Sequence, residues 1–324
     1  MQTFDGWIEV EASATGLGIF TVTGSWDMTR MDGAVVRPLS SDFVLFHAGA
    51  SAILVNPSPR IANATLNGQP VTISARSRLV TTLTGVVRVQ SSEPLAAVER
   101  ISAPGKLSLG PAVPAADAQA TLVFPYAVIG GGYNSILSIA NLAALAQDVT
   151  VTFGSLTGTV HMEGNSATRV SIGELLQIPA GTKAAGLVRL SEQPRPFTGG
   201  GPSWVAVLDI ENETGLVTTA ARTAATSLVF PHVAHGNGLF TGLALASGNN
   251  AATITIEVYN AAGNTPKTAT VRLDPNQQLA KLISEWVPGV DVQMGGYIKV
   301  RSDQPIWALE IYGSGEVMAS GPPL

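Results

Sequence analysis

Gly296-Tyr297-Ile298-Lys299-Val300 decides the reading of this chain, because it recurs. Gly186-Leu187-Val188-Arg189-Leu190 and Gly85-Val86-Val87-Arg88-Val89 repeat its glycine, its alternating apolar residues and its single base, and Gly6-Trp7-Ile8-Glu9-Val10 repeats its outline. A second signature stands ahead of the first three: Phe43-Val44-Leu45-Phe46-His47, Leu122-Val123-Phe124-Pro125-Tyr126 and Leu228-Val229-Phe230-Pro231-His232. Long-period self-similarity marks an array of modules. The chain therefore reads as a half-module at 1–41, either packed on the next module or completed by another chain, followed by modules at 42–114, 115–226 and 227–324.

Module three shows its strands most clearly. Ile254, Ile256 and Val258 alternate with Thr253, Thr255 and Glu257, the period of a half-buried strand. Residues 240–246 and 267–273 alternate in the same way, and Ser247-Gly248-Asn249-Asn250 and Ala261-Ala262-Gly263-Asn264 separate the runs as turns. Then the period changes. Leu279, Leu282, Ile283 and Trp286 fall on a helical stripe, and Ser171-Ile172-Gly173-Glu174 in module two reads as a capping box. The spacing predicts one short helix in modules two and three, between the fourth strand and the five–six pair, and none in module one. Strands five and six are read as hairpins turning at Ser91-Ser92-Glu93-Pro94 and Ser302-Asp303-Gln304-Pro305. Module two carries a Pro/Gly insertion there, 193–202, expected as a surface loop. Seven short strands per module predict an all-β chain of tandem antiparallel, Ig-like β-sandwiches.

Composition bounds the function. Charged residues are 13% and hydrophobic residues 45%, with no run near the ~20 apolar residues of a membrane-spanning helix. A net charge of −5 offers no basic stripe for nucleic acid. Without cysteine there is no disulfide or zinc–thiolate site, so burial alone must hold each module. Met1-Gln2-Thr3-Phe4-Asp5 lacks the charged and apolar regions of a secretion signal. The incomplete first module favours a signal and upstream residues having been removed, which puts the protein outside the cell or on its surface. The short linkers, 111–116 and 223–227, predict an elongated rod of separate beads.

Three positions invite chemical readings. Strand five carries a base, Arg88, Arg189 or Lys299, and strand six an acid, Glu99, Asp209 or Glu310. Apolar neighbours at alternate positions place both columns outward, as exposed cross-strand pairs contributing ~0.2–1 kcal/mol each. Solvation and register are their expected roles, not catalysis. His232-Val233-Ala234-His235 could hold a metal only with a third ligand, and a loop histidine bonding the turn backbone is the plainer reading. Trp26 and Trp307 are the two tryptophans worth testing as sugar-stacking platforms; the others read as core or interface. No Gly-x-Ser-x-Gly elbow or cleft-flanking acid pair is present, so no enzyme and no cofactor are expected.

Leu228-Val229-Phe230-Pro231-His232, Gly236-Asn237-Gly238, Leu279-Ala280-Lys281-Leu282-Ile283-Ser284-Glu285 and Gly296-Tyr297-Ile298-Lys299-Val300-Arg301-Ser302-Asp303-Gln304-Pro305 together resemble β-sandwich repeats of large secreted bacterial surface proteins, of the kind found in acidobacteria-like genomes. Modules two and three carry the resemblance well. Module one departs, with Phe46-His47 in place of Phe-Pro and no helix. The resemblance implies an extracellular, non-enzymatic role. Two functions follow as expectations. One is a structural or adhesive repeat protein whose partner is itself or another surface protein, with head-to-tail polymerisation through the incomplete module as its sharper form. The other is a carbohydrate-binding array whose partners are glycans.

Overall fold

The computed structural model describes residues 7–10, 20–24, 31–35, 38–192, 203–315, 317–321 and 323. Trp26 and the 193–202 insertion lie outside them. The chain is all-β. An N-terminal hairpin, β1 (Phe20–Gly24) and β2 (Met31–Val35), pairs within itself as a two-stranded sheet. Module one contains β3 (Ser40–Leu45), β4 (Ser51–Asn56), β5 (Ala62–Leu66), β6 (Gln69–Ile73), β7 (Ser77–Thr82), β8 (Val87–Ala103), β9 (Lys106–Pro111) and β10 (Val113–Pro114). Module two contains β11 (Thr121–Ile129), β12 (Asn134–Asn141), β13 (Gln147–Phe153), β14 (Leu156–Met162), β15 (Ala167–Ser171), the one-turn α1 (Ile172–Leu175), β16 (Ala184–Glu192), β17 (Trp204–Glu211) and β18 (Leu216–Ala220). Module three contains β19 (Ala225–Phe230), β20 (Ala234–His235), β21 (Leu239–Ser247), β22 (Ala252–Tyr259), β23 (Lys267–Leu273), β24 (Gln278–Leu282), the one-turn α2 (Ile283–Trp286), β25 (Gln293–Met294), β26 (Tyr297–Ser314) and β27 (Val317–Gly321).

Module two shows the plan most simply, as two antiparallel sheets ordered β11-β16-β13-β14 and β15-β12-β17-β18. In modules one and three, strands five and six are one strand. The first half of β8 pairs with β3 and β5, and its second half with β4 and β9. β26 likewise pairs with β19 and β22, then with β21 and β27. The expected hairpins at 91–94 and 302–305 are therefore corners where a strand passes from one sheet to the other. A tight two-residue hairpin needs left-handed backbone, and none of these eight residues has positive φ. The bend is taken up instead by register shifts, between Ser40 and Asp42 opposite β8 and between Ala225 and Ser227 opposite β26.

The helices shrink relative to expectation. Leu279 and Leu282 belong to β24, and only the second half of the stripe turns. Ser171 makes no capping bond; its hydroxyl donates to Asn134 Oδ1. Glu285 Oε2 does accept the Leu282 N–H, and the Trp286 indole N–H reaches the Leu243 carbonyl at 2.8 Å.

Nor is the molecule a rod of beads. The first linker is itself a strand, since Val113 and Pro114 pair with Val44 and Phe43. The second runs into β19. Each module has its own apolar cluster. A fourth cluster sits between modules one and two, joining Val44, Phe46 and Val113 to Ala140, Val205, Val207 and Ala220. Leu309 and Met318 of module three enter the core of module two. One late strand of each unit meets two others in a closed circuit: β9 against β18, β18 against β27, β27 against β2, and β2 against β9. The half-module thus docks on modules one and three.

Candidate functional site: a buried polar junction

The acids expected on the outside are inside. Glu99, Asp209 and Glu310 are 0%, 1% and 0% exposed. They do not share a face either. Glu99 lies on the core side of β8 with Leu95 and Ala97. Glu310 lies on the core side of β26 with Ile306 and Ala308. Asp209 points the other way, with Val205 and Val207, toward module one. Strand register makes Arg100 and Ile311, not Glu99 and Glu310, the counterparts of Asp209. A one-residue offset reverses the face.

The bases pair elsewhere. Arg88 makes a bidentate bond to Asp42, at 2.9 and 2.7 Å, one strand over on β3. Arg189 donates to Asn276 of module three at 3.4 Å, and Lys299, half-buried, sits opposite Glu257, whose carboxylate bonds Arg301.

His47 organises the junction. Its Nδ1 lies 2.6 Å from Glu99 Oε2, and its Nε2 lies 3.0 Å from Asp209 Oδ1, in the next module. Glu99 Oε1 also accepts the N–H of Phe46, at 2.5 Å, and of His47, at 3.0 Å. Burial lowers the pKa of His47, but the bonds to Asp209 and Glu99 outweigh it and raise it to about 10. Burial likewise opposes ionisation of Asp209, yet His47, Thr218 and Arg169 hold its carboxyl below the usual range. A charged imidazolium thus bridges two modules.

The network continues. Thr218 Oγ1 donates to Asp209 at 2.8 Å and lies 3.4 Å from Ser108 Oγ. Ser108 Oγ donates to Asp32 Oδ2 at 2.8 Å. Asp32 also accepts the N–H of Leu109, Ser320 and Gly33. Asp32, Ser108, Thr218 and Ser320 come one from each of the four meeting strands. Burial pushes the Asp32 carboxyl up to about 7, against the pull of those four donors.

Glu310 is the exception. It occupies the position of Glu99, yet neither oxygen has a hydrogen-bond partner, and burial holds its pKa well above the ordinary value. The sequence explains the difference. Phe46 supplies an N–H to Glu99, whereas its counterpart Pro231 has none. The facing glycines show how far both acids lean across. A Cβ on Gly110 would come within 2.6 Å of Glu99 Oε2, and one on Gly321 would collide with Glu310 Oε2.

The chemistry of this junction is that of a fastener. With both ring nitrogens committed to carboxyls, His47 has no free lone pair for general-base work. His232 packs its ring against Tyr312 at 4.6 Å between centroids, and burial lowers its pKa. His235 is a half-buried residue of β20. Among the described residues, no three histidine or carboxylate side chains gather as a metal site. Trp307 is half-buried on the outer face of β26. Its indole N–H donates to the Arg222 carbonyl at 3.0 Å, and it lines a cleft between modules two and three with Arg222, Asp117 and Gln119.

Sequence reading missed Asp32, His47, Ser108 and Thr218. The available signal was Phe46, which stands where modules two and three carry Pro125 and Pro231 and so restores a backbone donor.

No protein-family model matches this chain, and no curated protein matches it. Among solved structures, a chain from "Life in the extremes: atomic structure of Sulfolobus Turreted Icosahedral Virus" aligns over 93% of this protein and 91% of its own length, at 11% identity and a TM-score of 0.18. A score that low corresponds to no shared overall fold.

Proposed function

We propose that this chain is an extracellular structural or adhesive repeat protein, non-enzymatic, whose modules are fastened at fixed angles into a stiff scaffold. The His47 bridge between Glu99 and Asp209 carries this reading. Burying charge costs several kcal/mol per ion unless every partner is in place. A junction built that way favours one relative placement of its modules, which a stiff or displaying scaffold requires and a flexible string of binding beads does not. The expected resemblance to secreted surface repeats points the same way. An antibody against the chain should label intact producing cells without permeabilisation. Labelling only after permeabilisation would overturn the extracellular part of the proposal.

Trp307 beside Arg222 in the cleft between modules two and three supports a second reading, glycan binding. Soluble oligosaccharides should then quench Trp307 fluorescence saturably and lose that effect in Trp307→Ala. A glycan array without hits would remove it.

A further inference from the structure

The chain makes one kind of inter-module contact twice. The first strand of one module covers the outer sheet face of the next. Val44 of β3 and Phe46 just beyond it cover Ala140, Val205 and Val207 of module two, all of them buried. Val123 and Pro125 of β11, with Tyr126 and Val128, meet Trp307, Leu309 and Ile311 of module three. Register places Ile53, Ser138 and Ala244 at one equivalent position, opposite Val98, Val207 and Leu309.

Among the described residues, module one has the same face without the same cover. Val80, Ile53 and Val98 form an apolar row across β7, β4 and β8, with Val55 opposite Ala96 in the next row. Val80 is 49% exposed, and Ile53, Val55, Ala96 and Val98 are half-exposed. Gly33 and Ala34 of the β1–β2 hairpin and Thr218 and Ala220 of module two stand along one side of it, enclosing an open cavity of about 230 Å³ floored by Ile53, Val55, Ala96 and Val98. Module three has the complementary feature. Val229, Pro231 and His232 stand where Val44, Phe46 and His47 are buried in module one, and they are half-exposed.

We propose that copies of this chain join head to tail, with the first-strand face of module three of one copy seated on the outer face of module one of the next. The contact would be a third instance of the packing already made twice within the chain. Its two surfaces differ, so it is heterologous and need not close. The inference rests on the scaffold reading above and gives it a partner, a second copy. It moves self-assembly away from the incomplete N-terminal module, whose hairpin is already docked through Asp32.

The test is sedimentation velocity of the full chain over a wide concentration range, with Val98→Asp and Val229→Asp, each checked for native circular dichroism. Wild type should give a rising series of oligomers. Each variant alone should associate at least tenfold more weakly. An equimolar mixture of the two should recover association but stop at the dimer, since each retains one intact face. Val80→Lys, on an exposed site that tolerates charge, should weaken association if Val98→Asp proves unfolded. A wild type that stays monomeric throughout, or variants that associate like wild type, would overturn the proposal. Either failure leaves the His47 junction and the scaffold reading untouched, so the two are separable.

Discussion

Glu99 and Glu310 occupy the same place in modules one and three, and their surroundings make them opposites. Glu99 is met by two backbone N–H groups and an imidazole. Glu310 is met by none. The strands that carry them are alike, and the glycines facing them, Gly110 and Gly321, are the same residue type. What differs is a single position on the first strand, Phe46 against Pro231, together with an acid from the following module that only His47 finds. A buried carboxyl's role is thus set by the donors its neighbours present, not by its own strand.

The contrast can be broken most severely at His47. Replacing it with alanine leaves Glu99 and Asp209 buried without their shared cation, which costs about 3–5 kcal/mol. Glu310→Gln removes a group that gains nothing from ionising and should change stability by less than about 1 kcal/mol at pH 5. Urea unfolding of both variants checks the pair. An equal loss in the two would mean that the surroundings do not distinguish the acids.

Gly321→Ala comes next, at about 1–3 kcal/mol from overpacking. Glu310→Ala in the same chain should rescue most of that loss, because the clash is with the Glu310 carboxyl itself. No rescue would place the clash elsewhere.

The pH dependence sharpens the comparison further. Asp32 has a folded pKa of about 7 against 3.8 unfolded, so the folded state holds an extra proton between those values and stability falls as pH rises through them. Glu310 acts in the same direction above 4.5. The stabilisation from His47 is full below 6.5 and is lost as pH rises through about 10. Asp209, held low, contributes above 3.8 and loses that contribution as pH falls below it. Thermal melts should therefore be highest near pH 4–5 and fall toward alkaline pH. Glu310→Gln should flatten the slope above 4.5, whereas His47→Ala should flatten the slope between 6.5 and 10.

A modest loss is expected at Trp286, whose indole N–H bonds the Leu243 carbonyl and whose ring lies 5.1 Å from Lys281 Nζ. Trp286→Phe keeps most of the apolar area and loses the hydrogen bond, about 1 kcal/mol by denaturation.

The strands were legible because alternation survives the fold: Ile254, Ile256 and Val258 point inward as their spacing predicts. The repeat was legible for the same reason. The corners at 91–94 and 302–305 were not, since a Ser/Pro-bearing segment without glycine suits a turn and a bent strand equally well. The junction was hidden more deeply. An acid flanked by apolar residues looks exposed when only one sheet is considered, and His47 lies 52 residues from Glu99 and 162 from Asp209, as Ser108 lies 76 from Asp32. Only Phe46, in place of Pro125 and Pro231, hinted at these partners.

The central claim is that the modules are fastened to one another through buried side chains. A double-mutant cycle between His47 in module one and Asp209 in module two tests it most directly, using His47→Ala, Asp209→Ala and the double variant in urea unfolding. The bridge predicts a coupling of about 2 kcal/mol or more. Losses that add to within about 0.5 kcal/mol would mean that the two modules do not feel each other there, which would contradict it.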